Sequence, residues 1–237
     1  MTSRSSQLEV LCVEHFSNAL YDEHLEYLLD TINKRNDYKN IILAPELYLS
    51  GFDYEAIDKA SVFSEYAIDV LKQKIDKAIV ALTLIRKIGD GFVNQAIVIH
   101  RHEVVHAQEK SKLFRLGNED KYFIAGDPGK IKPFKIDGIS YGILVCFELR
   151  FKELWKQLEG ADIVLVPAKW GIVRKNHFEI LSKALAVMNQ CFVLATSSGN
   201  KETVNNSMIC SPNGMFCDSL IDLKEVIKMR RYIVMEG

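Results

Sequence analysis

Hydrophobic positions along the chain alternate between strand-like runs and helical spacing. Residues 8–13 look like a strand, and Ile41-Ile42-Leu43-Ala44 form a continuous apolar run closed by Pro45. Continuous apolar runs of this kind belong to strands buried on both faces. Between them, Leu25, Leu28, Leu29 and Ile32 recur at helical spacing and predict a helix over residues 22–33. Ser64 stands where it caps a helix reaching residue 77, and residues 78–85 read as a strand before the turn Gly89-Asp90-Gly91. Residues 92–100 and 104–112 predict a hairpin around a polar turn.

The second half repeats the alternation. An apolar run ends in Cys146, and Phe151, Leu154, Trp155 and Leu158 then line one helical face. Residues 163–166, closed by Pro167, predict another buried strand, and a helix over 177–190 leads into Phe192-Val193-Leu194-Ala195. The end of the chain reads as strands around 208–210 and 216–223. Strands interleaved with helices and hairpins indicate a mixed α/β layered domain. No repeat or Pro/Gly-rich linker interrupts the pattern, so residues 1–237 read as a single domain.

Composition narrows the function classes. Apolar residues make up 48% of the 237, enough for a real core. A formal net charge of −1 removes the electrostatic footprint of a nucleic-acid or anionic-membrane binder. The basic run Lys228-Met229-Arg230-Arg231 is too short to supply one. The N-terminus has no apolar stretch of signal-peptide length, and no run approaches a membrane span. Five cysteines, an odd number without C-x-x-C spacing, argue against a disulfide framework and a thiolate zinc site. The expected home is a reducing cytoplasm.

Candidate chemistry collects at three predicted strand ends. Glu46 follows Pro45, Lys110 and Lys112 lie on the second arm of the hairpin, and Cys146 stands at a strand-to-helix turn. A thiol at such a turn projects into a cleft, with the next backbone N–H groups aimed at whatever the sulfur attacks. A carboxylate whose pKa is raised by burial is able to take the thiol proton, and an ammonium stabilises the thiolate and a tetrahedral oxyanion. Taken singly, each residue reads equally well as a buried cysteine, an exposed charge or a satisfied ion pair.

Order and spacing add more. The segments A-P-E-L-Y-L-S-G-F, E-K-S-K-L-F-R-L-G-N-E-D-K-Y-F-I-A-G-D and C-F-E-L-R-F occur in that sequence. So do V-N-Q-A-I-V-I, V-P-A-K-W and N-S-M-I-C-S-P-N-G. Together they resemble the nitrilase superfamily, the carbon–nitrogen hydrolases, over nearly the whole chain, with the ω-amidase branch nearest in look. The resemblance implies a four-layer α-β-β-α sandwich, usually paired sheet-to-sheet into at least a dimer, with no metal or organic cofactor. It implies a catalytic triad of Glu46, Lys110 and Cys146, an acyl-thioester, and a small-molecule amide substrate. It places Glu119, Phe147 and Trp170 at the substrate, with the Phe147 N–H on the oxyanion. N-carbamoyl or nitrile hydrolysis uses the same triad, and a non-catalytic binding or thiol-sensing protein is a further reading.

Departures from the family pattern carry their own expectations. Lys112 replaces the histidine of K-x-H-L-F, and on a strand it would share a face with Lys110, lowering the pKa of at least one. Glu148 replaces the usual aspartate, and Arg150 matches the family arginine that follows it. Leu185 and Met188 replace an Arg/Glu combination together, as if a polar contact had been exchanged for an apolar one, and Asn206 replaces a glycine. His177 stands where the family has a histidine at a helix start, which suggests packing or loop positioning. His15, His24 and His100 show no ligand spacing.

His102-Glu103-Val104-Val105-His106 spells the zinc-protease motif H-E-x-x-H. That chemistry needs a helix, where residues four apart share a face. On a strand the two histidines stand about 13 Å apart at ~3.3 Å per residue, too far to share one ion. The surrounding β-branched residues predict the strand.

Overall fold

Ile41 and Leu43 point to one side of their strand and Ile42 and Ala44 to the other, yet all four are fully buried. A sheet covered on both sides follows. The computed structural model of the chain describes residues 7–13, 20–37, 40–197, 203 and 207–236. In chain order the strands and helices are β1 (Gln7–Cys12), α1 (Tyr21–Arg35), β2 (Asn40–Leu43), α2 (Ile57–Lys74), β3 (Ile79–Ile88), β4 (Gly91–His100) and β5 (Glu103–Glu109). A short α3 (Glu119–Tyr122) precedes β6 (Phe134–Ile136), β7 (Ile139–Ile143), α4 (Lys152–Gln157), β8 (Ile163–Ala168), α5 (Lys175–Asn189) and β9 (Phe192–Ser197). The chain ends in β10 (Met208–Cys210), β11 (Phe216–Cys217), β12 (Leu220–Asp222) and α6 (Lys224–Glu236).

The strands form two six-stranded mixed sheets, ordered β12-β1-β2-β3-β4-β5 and β11-β10-β9-β8-β7-β6. Each has a parallel centre, β1-β2-β3 in one and β7-β8-β9 in the other, flanked by antiparallel strands. On one face of the first sheet, Ile42, Val80, Leu82 and Ile97 pack against Leu25, Leu28 and Ile32 of α1 and Ala67 and Leu71 of α2. On its other face, Ile41, Leu43, Ala81 and Val98 join the core of the second sheet, which also buries Leu154 of α4 and Phe178 and Leu185 of α5. The layers therefore run α-β-β-α, as the motifs implied. No helix among the described residues is long and apolar enough to cross a membrane.

Several expectations are corrected. The second helix begins at Ile57, so Ser64 lies inside it, and its Oγ donates back to Ala60 O (2.9 Å) instead of capping. Residues 216–223 split into two strands in different sheets, because β12 crosses to pair with β1. The helix α6 then follows a stretch read only as strand. The strand β5 stops at Glu109, short of both lysines. Leu185 is fully buried whereas Met188 is 70% exposed, so the two do not form an exchanged apolar contact. Their side chains serve different environments. His15 and Asn206 lie outside the described residues.

The zinc-protease motif sits on the β4–β5 hairpin, not on a helix. Arg101 and His102, at φ +50° and +64°, form a left-handed two-residue turn between the paired His100 and Glu103. His102 Nδ1 donates to Lys72 O (2.8 Å), while His106 stacks on Phe134 at 3.9 Å. The two histidines are committed to different neighbours.

Candidate active site

Glu46 leaves β2 through a turn whose next residue, Leu47, has φ +49° and donates its N–H to Thr83 Oγ1 (2.6 Å). That turn aims the carboxylate inward, where only 2% of the residue is exposed. Its Oε1 accepts from Lys110 Nζ (2.7 Å) and from Asn94 Nδ2 of β4 (2.8 Å). Its Oε2 is buried and has no hydrogen-bond partner among the described residues. A buried carboxylate oxygen left open is costly unless it serves an incoming proton.

Lys110 lies one residue beyond β5, fully buried. Its N–H still donates to Asn94 O (2.8 Å), and its carbonyl accepts from Gly126 N (2.9 Å). Glycine is needed there, since a Cβ on residue 126 would stand 2.6 Å from Glu109 O. The ammonium is held between Glu46 and Glu119, whose Oε1 accepts from Nζ at 2.8 Å. Burial alone would pull the lysine pKa down, but the Glu46 and Glu119 carboxylates outweigh it and hold the ammonium charged above its usual range. Glu119 opens α3, and its Oε2 accepts the Phe114 N–H (3.0 Å). Burial and the Glu46 charge push its carboxyl up to about 6 against the pull of Lys110.

Cys146 follows β7 at φ +47°. A left-handed conformation at a residue with a Cβ costs ~1–3 kcal/mol and persists only where the surroundings impose it. The residue is 8% exposed. Burial and the Glu46 charge hold its thiol well above the usual range, partly opposed by Lys110 and by a hydrogen bond from the Lys169 backbone N–H. Burial and the carboxylate both favour the thiol over the thiolate. Cys146, Glu119, Phe147 and Trp170 line one cleft of about 380 Å³, walled also by Phe52, Tyr54 and Phe114 and bearing Arg150, Lys169 and Arg174. A wider groove of about 890 Å³ shares Phe114, Phe147, Arg150 and Arg174 with it but contains none of Glu46, Lys110 and Cys146.

Lys112 does not join this cluster. The chain has left the strand before it, so alternation no longer applies, and Lys112 turns outward to Glu153 Oε1 (3.2 Å) and the Phe151 ring (4.8 Å). The expected depression of a lysine pKa does not appear at Lys110, which faces two carboxylates. His177 Nδ1 accepts from Arg150 Nη2 at 3.1 Å.

Residues 18–227 match the family model described as carbon-nitrogen hydrolase. The chain belongs to that family. Among curated relatives of this carbon–nitrogen hydrolase, a 2-oxoglutaramate amidase of Bacillus subtilis is 28% identical over 77% of this chain and 74% of its own length. An omega-amidase, YafV, of Yersinia enterocolitica is 28% identical over 72% of this chain and 64% of its own. The solved carbon–nitrogen hydrolase of Helicobacter pylori G27 superposes with a TM-score of 0.85 at 17% identity, over 97% of this chain and 94% of that one. An amidase mutant from Nesterenkonia sp. AN1, solved in complex with butyramide, superposes at 0.78 and 18% identity over 97% of this chain and 96% of that one.

Reading by motif missed Asn94, Lys169 and Arg174. Asn94 and Lys169 lie within the quoted strings V-N-Q-A-I-V-I and V-P-A-K-W, but nothing in a string says which side chain turns inward. Arg174, four residues beyond Trp170, lies outside any string quoted.

The charge arrangement has a pH signature. Glu119 titrates near 6 when folded against an ordinary 4.5, so the folded state binds that proton more tightly than the unfolded chain. Its contribution is complete below pH 4.5 and is lost as pH rises through about 6. In urea unfolding, the stability of the parent relative to Glu119→Gln should fall by about 2 kcal/mol between acid and neutral pH. A difference that stays level, or rises, contradicts the arrangement.

Proposed function

We propose that the protein hydrolyses the amide of a small, carboxylate-bearing molecule through an acyl-thioester on Cys146. The observation that carries this reading is the open, buried Oε2 of Glu46, a carboxylate that is bonded to a fixed ammonium and whose charge acts on the Cys146 thiol. Glu46 takes the Cys146 proton as the sulfur attacks the amide carbonyl. Lys110 and the Phe147 backbone N–H hold the oxyanion of the tetrahedral intermediate. Glu46 returns the proton to the departing nitrogen, and ammonia leaves. Water, deprotonated by Glu46, then attacks the thioester, and collapse releases the carboxylic acid and the thiolate, which takes its proton back from Glu46. Glu119 holds Lys110 and the Phe114 backbone in place throughout. No metal or organic cofactor enters these steps.

The substrate class follows from the cleft. Arg150 lies over the Trp170 ring (4.9 Å), Lys169 over Phe52 (5.2 Å) and Arg174 over Phe114 (5.7 Å). None of the three pairs with a carboxylate among the described residues, so the cleft offers cations to an anionic substrate. The names of the Bacillus and Yersinia relatives, a 2-oxoglutaramate amidase and an omega-amidase, support the same class. We further assign the enzyme to the reducing cytoplasm, where Cys146 and the other four free cysteines stay reduced. Pairing of two copies is supported by the exposed apolar residues Val173, Ile180 and Met188 at and along α5.

Ammonia release from a panel of small amides, carbamoylated amines and nitriles tests the chemistry, with Cys146→Ala expected to abolish it. Unchanged release in that variant rejects the thioester. Arg150→Met should raise KM for carboxylate-bearing amides at least about tenfold while leaving neutral amides alone. Equal effects on both remove the anionic-substrate reading. Light scattering should return twice the 27.0 kDa chain mass, and a monomer at working concentration removes the pairing.

A further inference from the structure

Glu148 is a third carboxylate near the site, and the steps above do not use it. It is fully buried, two residues after Cys146. Its Oε2 accepts the Val145 N–H (2.7 Å), and its Oε1 accepts both the N–H and the hydroxyl of Ser111 (2.7 Å each). Val145 immediately precedes Cys146, and Ser111 immediately follows Lys110. One carboxylate thus bonds the two backbones at the residues adjoining the nucleophile and the ammonium. The Glu148 N–H donates back to Val145 O (3.0 Å), which closes the turn that carries Cys146.

We infer that Glu148 is a positioning residue: its carboxylate clamps the lysine loop to the cysteine turn and sets the placement of Cys146 relative to Lys110. The inference rests on the proposed roles of those two residues. A fully buried carboxylate is expensive, and three donors from two separate segments offset that cost only in one arrangement of those segments. The arrangement matters because Cys146 is held at φ +47°, a conformation its turn would relax from if Val145 lost its acceptor. It matters also because misplacing reacting groups by about 1 Å is enough to cost ~100-fold in rate. A glutamate suits the task, since each carboxylate oxygen serves a different segment. The Ser111 hydroxyl adds a donor to the lysine side of the clamp.

The test uses two variants and two readouts. Glu148→Gln keeps the volume but turns an amide N–H₂ toward one of the donors, so one arm of the clamp opens. Ser111→Ala removes only the hydroxyl bond and leaves the Ser111 N–H contact. Expected for Glu148→Gln is a kcat lower by about 30- to 100-fold per folded molecule, with KM changed less than about threefold. Ser111→Ala should lose about three- to tenfold in kcat in the same pattern. Alkylation of Cys146 by iodoacetamide gives the second readout, with its pH profile displaced to higher pH in both variants as Lys110 loses alignment with the sulfur. A kcat and an alkylation profile unchanged within about twofold in Ser111→Ala and in folded Glu148→Gln overturn the clamp. So does a loss that only follows the folded fraction measured by circular dichroism. If Glu148→Gln fails to fold, Ser111→Ala alone decides. If the parent releases no ammonia from any amide, the proposed function falls, while the alkylation profiles still judge the clamp.

Discussion

A fully buried ammonium between two buried carboxylates organises this molecule. Lys110 cannot stay charged inside the protein without Glu46 and Glu119, and neither carboxylate tolerates the other without Lys110. Removing one member leaves an uncompensated buried charge, which typically costs ~3–5 kcal/mol. The three residues come from the end of β2, the residue after β5 and the start of α3, so their ion pairs also join separate parts of the first sheet's margin. In the proposed mechanism this costly arrangement has a use. The lysine is kept charged where an oxyanion would form, and Glu46 keeps one oxygen open.

The fold supplies the convergence. Glu46 follows β2, Cys146 follows β7 and Lys169 follows β8, strands from the parallel centres of the two facing sheets. The Glu46 N–H reaches Ala168 O of the opposite sheet (3.3 Å), so the site straddles the seam. Two of its turns, at Leu47 and Cys146, hold left-handed φ values at residues with full side chains. Strain of this kind lies where the direction of a side chain matters more than backbone comfort.

Much of this was readable from the residues, and the failures have specific causes. Apolar runs buried on both faces, such as Ile41 to Ala44 and Ile163 to Val166, identified the central strands because no competing signal interrupts them. The ordered motifs pointed to Glu46, Lys110, Glu119 and Cys146, which the fold gathers around one cluster and cleft. The face of Lys112 was misread because alternation was carried past Glu109, where the ladder ends. The start of α2 was misplaced because Ser64 resembles a cap, and a mid-helix serine bonding to the carbonyl four residues back has the same composition. Asn94, Arg174 and the Glu148 clamp depend on which inward atoms meet across sheets. Spacing along one chain does not encode that.

The setting of Cys146 bears on the choice between the proposed catalysis and thiol sensing. A sensor cysteine is accessible and carries a depressed pKa, so that a thiolate meets oxidants directly. Cys146 is 8% exposed, and burial together with the Glu46 charge keeps it protonated. Such a thiol reacts slowly with oxidants until something removes its proton, and Glu46, whose charge it feels, keeps one oxygen without a hydrogen-bond partner. Once the proton moves to Glu46, the carboxylate that disfavoured the thiolate is neutral, and the Lys110 charge acts unopposed by it. The same transfer that creates the nucleophile therefore removes the charge that opposed it. In the proposed mechanism the thiolate thus forms only as its proton is taken, which suits turnover better than sensing.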